Sequence, residues 1–230
     1  MKFISILMTV FALMMGPALA GDVHDWSGGY IGVHGGYAWG SASVSDTSPG
    51  VVPGPFNYPV AGALGGVQAG YNFQTGNIVF GPEVDVGYAS ASGSGVIGSS
   101  HAASHQDLTL SGGAYADLTG RLGVGFGNTL LYAKGGAALY GGRALQQTTN
   151  PNYVGTPADG FLGWVAGVGL EQALTENVSV KVEYDHYGFG TGHGYQTAIA
   201  ADPPTPAGYK FDNWTNLGFD TVKVGLNWKF

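Results

Sequence analysis

Thr221-Val-Lys-Val-Gly-Leu-Asn-Trp-Lys-Phe230 decides the fold. In an extended strand Val222, Val224, Leu226, Trp228 and Phe230 share one face, and Thr221, Lys223, Gly225, Asn227 and Lys229 share the other, because side chains alternate with period two. A helix would scatter the apolar set. The stretch has about the 9–11 residues that a tilted strand needs to cross a bilayer, and it ends on an aromatic residue. It reads as the closing strand of an outer-membrane barrel. Alternation alone leaves a soluble lipocalin-like barrel open, since that barrel has the same period with its faces inverted.

Composition and the opening residues bear on that choice. Met1 and Lys2 form a cationic head, Phe3 to Met15 an apolar run, and Gly16-Pro17 a break before Ala18-Leu19-Ala20. This is the layout of a cleaved secretory signal peptide, so residues 1–20 are expected to be a leader and 21–230 a single barrel domain. The apolar run is too short for a spanning helix, which needs about 18–20 residues. The chain has no Cys, hence no disulfide, and only 10% of its residues are charged, against about 25% in ordinary soluble domains. A membrane-inserted sheet accounts for low charge without any helical span, because only half of each strand has to be apolar. A net charge of −7 excludes nucleic acid as the expected partner.

Seven further alternating stretches precede the closing one: Tyr30 to Trp39, Ala63 to Phe73, Ile78 to Ala89, Tyr115 to Phe126, Leu131 to Tyr140, Phe161 to Leu174 and Val178 to Phe189. The connections alternate between long and short. Ser45 to Pro59, Ser90 to Ser111, Gln146 to Gly160 and Thr191 to Asn216 read as loops, rich in Gly, Ser, Pro and polar residues. Thr75-Gly76-Asn77, Gly127-Asn128-Thr129 and Thr175-Glu176-Asn177 read as tight turns. Pro82, inside a strand paired on both sides, predicts a local bulge. One tight rim and one loose rim are the mark of an all-β, eight-stranded antiparallel up-and-down transmembrane β-barrel, with short periplasmic turns and long extracellular loops.

With the apolar faces toward lipid, Glu83, Asp85, Asp117, Arg121, Lys134, Glu171, Lys181, Glu183, Asp185, Lys223 and Lys229 point into the lumen. An eight-stranded barrel is barely wide enough for its own side chains, so these charges are expected to pair as a hydrogen-bonded plug, with His34 among them. Gln172, His186 and Asp220 fall on the lipid face, all near strand ends. His101 and His105 stand four apart and are candidate haem or metal ligands only in a helical segment, whereas their Ser, Gly and Ala surroundings favour solvated loop histidines. Asp185 and His186 cannot act as a catalytic pair, because adjacent strand residues face opposite ways. No constellation calls for a cofactor, and enzyme activity is not expected.

Several stretches together resemble a known family: Gly28-Gly-Tyr-Ile-Gly-Val-His-Gly-Gly-Tyr-Ala-Trp-Gly40, Gly65-Gly-Val-Gln-Ala-Gly-Tyr-Asn-Phe-Gln74, Gly120-Arg-Leu-Gly123, Leu131-Tyr-Ala-Lys-Gly-Gly136, Val180-Lys-Val-Glu-Tyr184 and Val224-Gly-Leu-Asn-Trp-Lys-Phe230. The set is similar to the small outer-membrane barrel proteins of alphaproteobacteria, described as outer-membrane immunogenic or porin-family proteins. The resemblance implies an integral protein of the bacterial outer membrane, envelope-stabilising and exposed through its loops. Its expected partners are outer-membrane lipids and lipopolysaccharide, periplasmic chaperones and the barrel-assembly machinery, and host or surface ligands at the loops. A narrow porin for ions or very small solutes and a haemin-binding surface protein are the alternatives.

Overall fold

The computed structural model describes residues 23–46, 55–98, 105–200, 205 and 207–230, so the expected leader lies outside them. Eleven strands follow in order: β1 (Gly28–Asp46), β2 (Pro55–Thr75), β3 (Ile78–Ala89), β4 (Gly93–Gly98), β5 (His105–Ser111), β6 (Gly113–Phe126), β7 (Thr129–Thr148), β8 (Tyr153–Thr156), β9 (Ala158–Ala173), β10 (Val178–Ala198) and β11 (Lys210–Lys229). Eight of them, β1-β2-β3-β6-β7-β9-β10-β11, form a ring in which β11 returns to β1 and every pair is antiparallel. The ring is a closed eight-stranded barrel. Its register runs from Trp39 through Asp220, His186, Ala166, Gly135, Gly120, Pro82 and Tyr71 back to Gly29 of the same strand, a stagger of ten residues. With about 3.3 Å per residue and about 4.8 Å between strands, that stagger tilts the strands by about 40° from the axis.

The apolar faces look outward. Leu226 is 50% exposed and Leu122 61%, whereas Lys181 and Lys223 are 0% exposed. A soluble barrel would have the reverse arrangement, because burying four cations while exposing a continuous aliphatic belt costs free energy on both counts in water. In hydrocarbon both choices are favourable.

The strands are much longer than the hydrocarbon requires, and along them the polarity inverts without any slip in the period. In β11 the inner positions Thr221, Lys223 and Asn227 oppose the outer Val222, Val224, Leu226 and Trp228. Nearer its start the inner positions become Phe211, Leu217 and Phe219, and the outer ones Asp212, Asn216 and Asp220. In β1 inner Tyr30 and His34 give way to Ala38, Ala42 and Val44, while outer Ile31 to Trp39 give way to Ser41 and Ser43. The crossover marks where the wall leaves the membrane, and exposed Trp39, Trp164 and Tyr184 form an aromatic girdle there. Beyond it the barrel continues for roughly 20 Å as a water-facing structure with an apolar interior.

Much of what composition marked as loop is therefore wall. Pro55 to Pro59 belongs to β2, with Pro59 opposite Ser41; Ser90 to Ser111 contains β4 and β5; Gln146 to Gly160 contains the end of β7, all of β8 and the start of β9; Thr191 to Asn216 contains the end of β10 and the start of β11. At the level of Pro59, β2 meets β4 only through the isolated bridge Ala61–Ser92, so a missing proline N–H is tolerated there. The predicted bulge at Pro82 is absent. The ladder to β2 lapses at Gly81 and Pro82, but Gly70 still faces Glu83 and Phe73 still faces Phe80. Losing a bond costs less than a one-residue shift that would turn every charge of β3 toward lipid. The three tight turns lie where the sequence places them, at 76–77, 127–128 and 174–177.

Candidate functional site

The lumen is the candidate site, and it is built from three layers. In the middle layer Glu83, Asp85, Asp117, Arg121, Lys134, Glu171, Lys181, Glu183, Asp185 and Lys223 are all buried, none more than 5% exposed. Lys134 Nζ lies 2.8 Å from Glu183, 3.2 Å from Glu83 and 3.8 Å from Asp185. Lys181 bridges Glu183 at 3.3 Å and Glu83 at 3.6 Å. Lys223 reaches Asp85 and Asp185, each at 3.0 Å. Arg121 meets Glu171 at 3.2 Å and Glu83 at 3.7 Å, donates from Nε to Asn72 at 2.8 Å, and stacks on the rings of Tyr30 and Tyr132 at 4.5 and 5.1 Å.

Tyrosines complete the network. Tyr30 donates to Glu83 at 2.8 Å, Tyr132 to Glu183 at 2.7 Å and Tyr187 to Asp117 at 2.9 Å. His34 connects Gln68 and Tyr115, at 2.5 and 2.6 Å, and lies 3.5 Å from Asp85. Two of these rings need glycine beside them: a Cβ at Gly70 would meet the Tyr30 hydroxyl at 2.3 Å, and one at Gly169 would meet the Tyr132 ring at the same distance. Six carboxylates face four Lys and Arg side chains, so the layer has a formal excess of two negative charges, and among the described residues Asp117 Oδ1 has no hydrogen-bond partner.

Above lies an aromatic layer that the strand-by-strand reading missed. Tyr140, Phe161, Tyr187, Phe189 and Phe219 are buried together, with ring centroids from 5.1 to 6.5 Å apart, and Val44, Tyr58, Leu108, Leu110 and Leu217 extend the cluster through the outer half of the bore. The period-two signal is present in Leu108-Thr109-Leu110 and Leu217-Gly218-Phe219, but each stretch lies in a segment whose Gly, Ser, Pro and polar content reads as loop. At the periplasmic mouth residues 23–27 fold back as a cork. Trp26 is buried against Val79, Leu130, Tyr132 and Ala173. Its backbone N–H donates to Gln74 at 2.6 Å, its carbonyl accepts from Asn72 at 3.1 Å, His24 N–H donates to Gly127 at 2.9 Å, and Lys229 Nζ donates to the Asp25 carbonyl. Hydrogen bonds from the Ser27 hydroxyl and amide hold the Asp25 carboxyl below its usual range.

The remaining candidates fall outside this assembly. Lys229 lies half-buried at the mouth rather than in the network. His101 is outside the described residues, and His105 opens β5 rather than lying in a loop or a helix. His186 is on the outer face and bonds Asp220 across the strand pair at 2.8 Å, while Asp185 points inward. Gln172, also lipid-side, accepts from Thr129 at 2.6 Å. His193 is on the outer wall of β10, 2.9 Å from Asp212. Among the described residues no group of three or more His, Cys, Asp or Glu could hold a metal ion.

A closed ring of eight tilted strands, aliphatic outside and ionic within, defines an integral β-barrel of the outer membrane. Comparison with known proteins gives the family. Residues 7–230 match the outer membrane protein beta-barrel domain model, and the chain belongs to that family. It is 32% identical over 218 residues to the 31 kDa outer-membrane immunogenic protein of Brucella melitensis, covering 91% of this chain and 85% of the relative. It is 30% identical over 214 residues to the 25 kDa outer-membrane immunogenic protein of Brucella abortus, covering 93% and 84%. A 22 kDa outer membrane protein of Rhizobium leguminosarum is 28% identical, covering 90% and 79%. The crystal structure of OprG from Pseudomonas aeruginosa superposes with a TM-score of 0.57 at 12% identity, over 92% of this chain and 99% of that one, a likeness of fold alone.

Proposed function

We propose that this outer-membrane protein is a sealed anchor carrying a rigid, β-walled ectodomain at the cell surface, and that it acts by contact rather than by transport or catalysis. The observation behind this reading is the packing of the bore. Lumen side chains that lined a water-filled channel would be accessible to water, yet Glu83, Asp85, Lys181, Asp185 and Lys223 are each 0% exposed, with an aromatic layer above them and a tryptophan below. The outer wall suits contact with outer-membrane lipids and lipopolysaccharide, which would stabilise the envelope, and the rim beyond it is the surface open to other partners. On this reading the leader of residues 1–20 is cleaved, and periplasmic chaperones and the barrel-assembly machinery deliver the 21–230 domain with residues 23–27 free to enter the mouth.

The test is a planar-bilayer recording of the refolded protein. The expected result is a silent membrane. Regular single-channel steps that change in Arg121→Ala or Glu83→Ala would show the bore to be a narrow pore and overturn the proposal.

A further inference from the structure

The lipid-facing wall is furrowed on one side. Outward residues of neighbouring strands align in rows across the ladder. On β10, β11, β1, β2 and β3 one row runs from Val178 through Trp228, Ile31 and Ala69 to Val84, and the next, two residues nearer the girdle, ends in Leu226, Val33, Val67 and Val86. Between them lies a groove of about 600 Å³. Its floor is the strand backbone at Gly32, Gln68 and Asn227, and the polar side chains of the last two are turned into the lumen, where Gln68 donates to Asn227 at 2.7 Å. Ala69 makes the opening, as the smallest side chain in either row, placed between Ile31 and Val84.

The dimensions select an occupant. Rows two residues apart stand about 6.6 Å from each other, which admits one hydrocarbon chain and excludes a helix, about 10–12 Å across with its side chains. From β10 to β3 the furrow spans four strand spacings, about 19 Å. The circuit from β1 by way of β11 descends ten residues, so in the opposite sense the furrow climbs, from the turn at 174–177 toward the middle of the membrane. At a tilt of about 40° it rises about 12 Å, within the hydrocarbon depth of one leaflet, about 15 Å. Its lower end opens beside exposed Thr175, Glu176 and Asn177, at the level of lipid headgroups. A second barrel would meet this convex wall along a narrow strip, well short of the roughly 800 Å² per partner of a stable interface, and would leave the recess unfilled.

We propose that this furrow holds one acyl chain of a phospholipid from the periplasmic leaflet, its carboxyl end at Trp228 and its methyl end beside Val84. The inference rests on the lipid-facing belt and not on the sealed bore, so conduction in planar bilayers would leave it standing. The test uses protein folded in maltoside micelles and carrying Trp39→Phe, Trp164→Phe and Trp214→Phe, which leaves Trp228 on the wall and buried Trp26 as a constant background. Phosphatidylcholine brominated near the carboxyl end of one acyl chain is titrated in, and the quenching of Trp228 fluorescence is read. Saturable quenching is expected, with its half-point at a lipid mole fraction at least tenfold lower than in Ala69→Phe, where the added ring fills the opening, and unchanged in Ala133→Phe on the opposite wall. The same lipid brominated near the methyl end is expected to quench less than half as strongly. Quenching that rises linearly with mole fraction, equal half-points with and without Ala69→Phe, equal quenching by the two brominated lipids, or a dimer in light scattering that Ala69→Phe abolishes would overturn the proposal; retained heat-modifiable gel migration shows that the variants are folded.

Discussion

Replacing Lys134 by Met tests whether the charged layer is dry. Met approximates the length of Lys and fills the same space, so the substitution removes charge and hydrogen bonds while nearly preserving volume. Lys134 is the hub between Glu83, Glu183 and Asp185, and without it six buried carboxylates would share three cations. Breaking a buried pair from one side costs about 3–5 kcal/mol, because the partner's charge is left uncompensated away from water. The assay is urea unfolding of protein folded into phospholipid vesicles, followed by heat-modifiable mobility and tryptophan fluorescence. Lys134→Met is expected to lose that amount. Adding Glu183→Gln, which removes one of the stranded charges, is expected to recover at least about 1 kcal/mol, a coupling typical of residues in direct contact. Asp117→Asn should cost little, since Asp117 Oδ1 has no hydrogen-bond partner among the described residues and an amide oxygen can still accept from Tyr187. A loss below about 1 kcal/mol for Lys134→Met, the scale of a solvated pair, would mean that water fills the lumen and would refute the reasoning.

Four other substitutions examine the boundaries of the barrel. Leu226→Lys, at an exposed position inside the apolar belt, is expected to cost about 2–4 kcal/mol in the same unfolding assay, and Asn216→Lys on the same strand above the girdle less than about 0.5 kcal/mol. Phe219→Ala removes a ring in contact with Tyr140, Tyr187 and Phe189 and should cost about 3–5 kcal/mol, while planar-bilayer recordings remain silent because the charged layer below is intact. Trp26→Ala should cost about 3 kcal/mol and raise amide exchange at the periplasmic mouth, with the rim of the ectodomain unchanged.

How much of this was legible in the sequence follows from where period two is clean. Within the hydrocarbon an outward side chain has to be apolar, so Val180-Lys181-Val182-Glu183 and Val222-Lys223-Val224 declare both their secondary structure and their inner face. The same parity places Tyr30, Tyr132, Gln68, Asn72 and Asn227 inside. Above the girdle the requirement lapses. An outer position there can be Ser, Asn or Thr and an inner one Ala or Gly, so Ser41-Ala42-Ser43-Val44 carries no clear alternation and falls beyond the strand read as ending at Trp39, although it pairs with both β2 and β11. The cork was illegible for a different reason. Residues 23–27 have no period at all, and Trp26 is located by hydrogen bonds from Asn72 and to Gln74, contacts nearly fifty residues distant that exist only once the barrel is closed.

The inversion of polarity along single strands also explains the composition. The chain has eight Lys and Arg residues, and four of them, Arg121, Lys134, Lys181 and Lys223, are buried in the bore. A soluble fold almost never buries half its cations. Here the belt can accept none and the lumen needs several against six carboxylates, so few are left for the surface. Among the described residues of the water-facing wall, Arg143 is paired with Asp159 at 3.0 Å and Lys210 lies over the ring of Tyr195 at 4.3 Å. A wall so poor in available cations is badly suited to holding phosphates by charge.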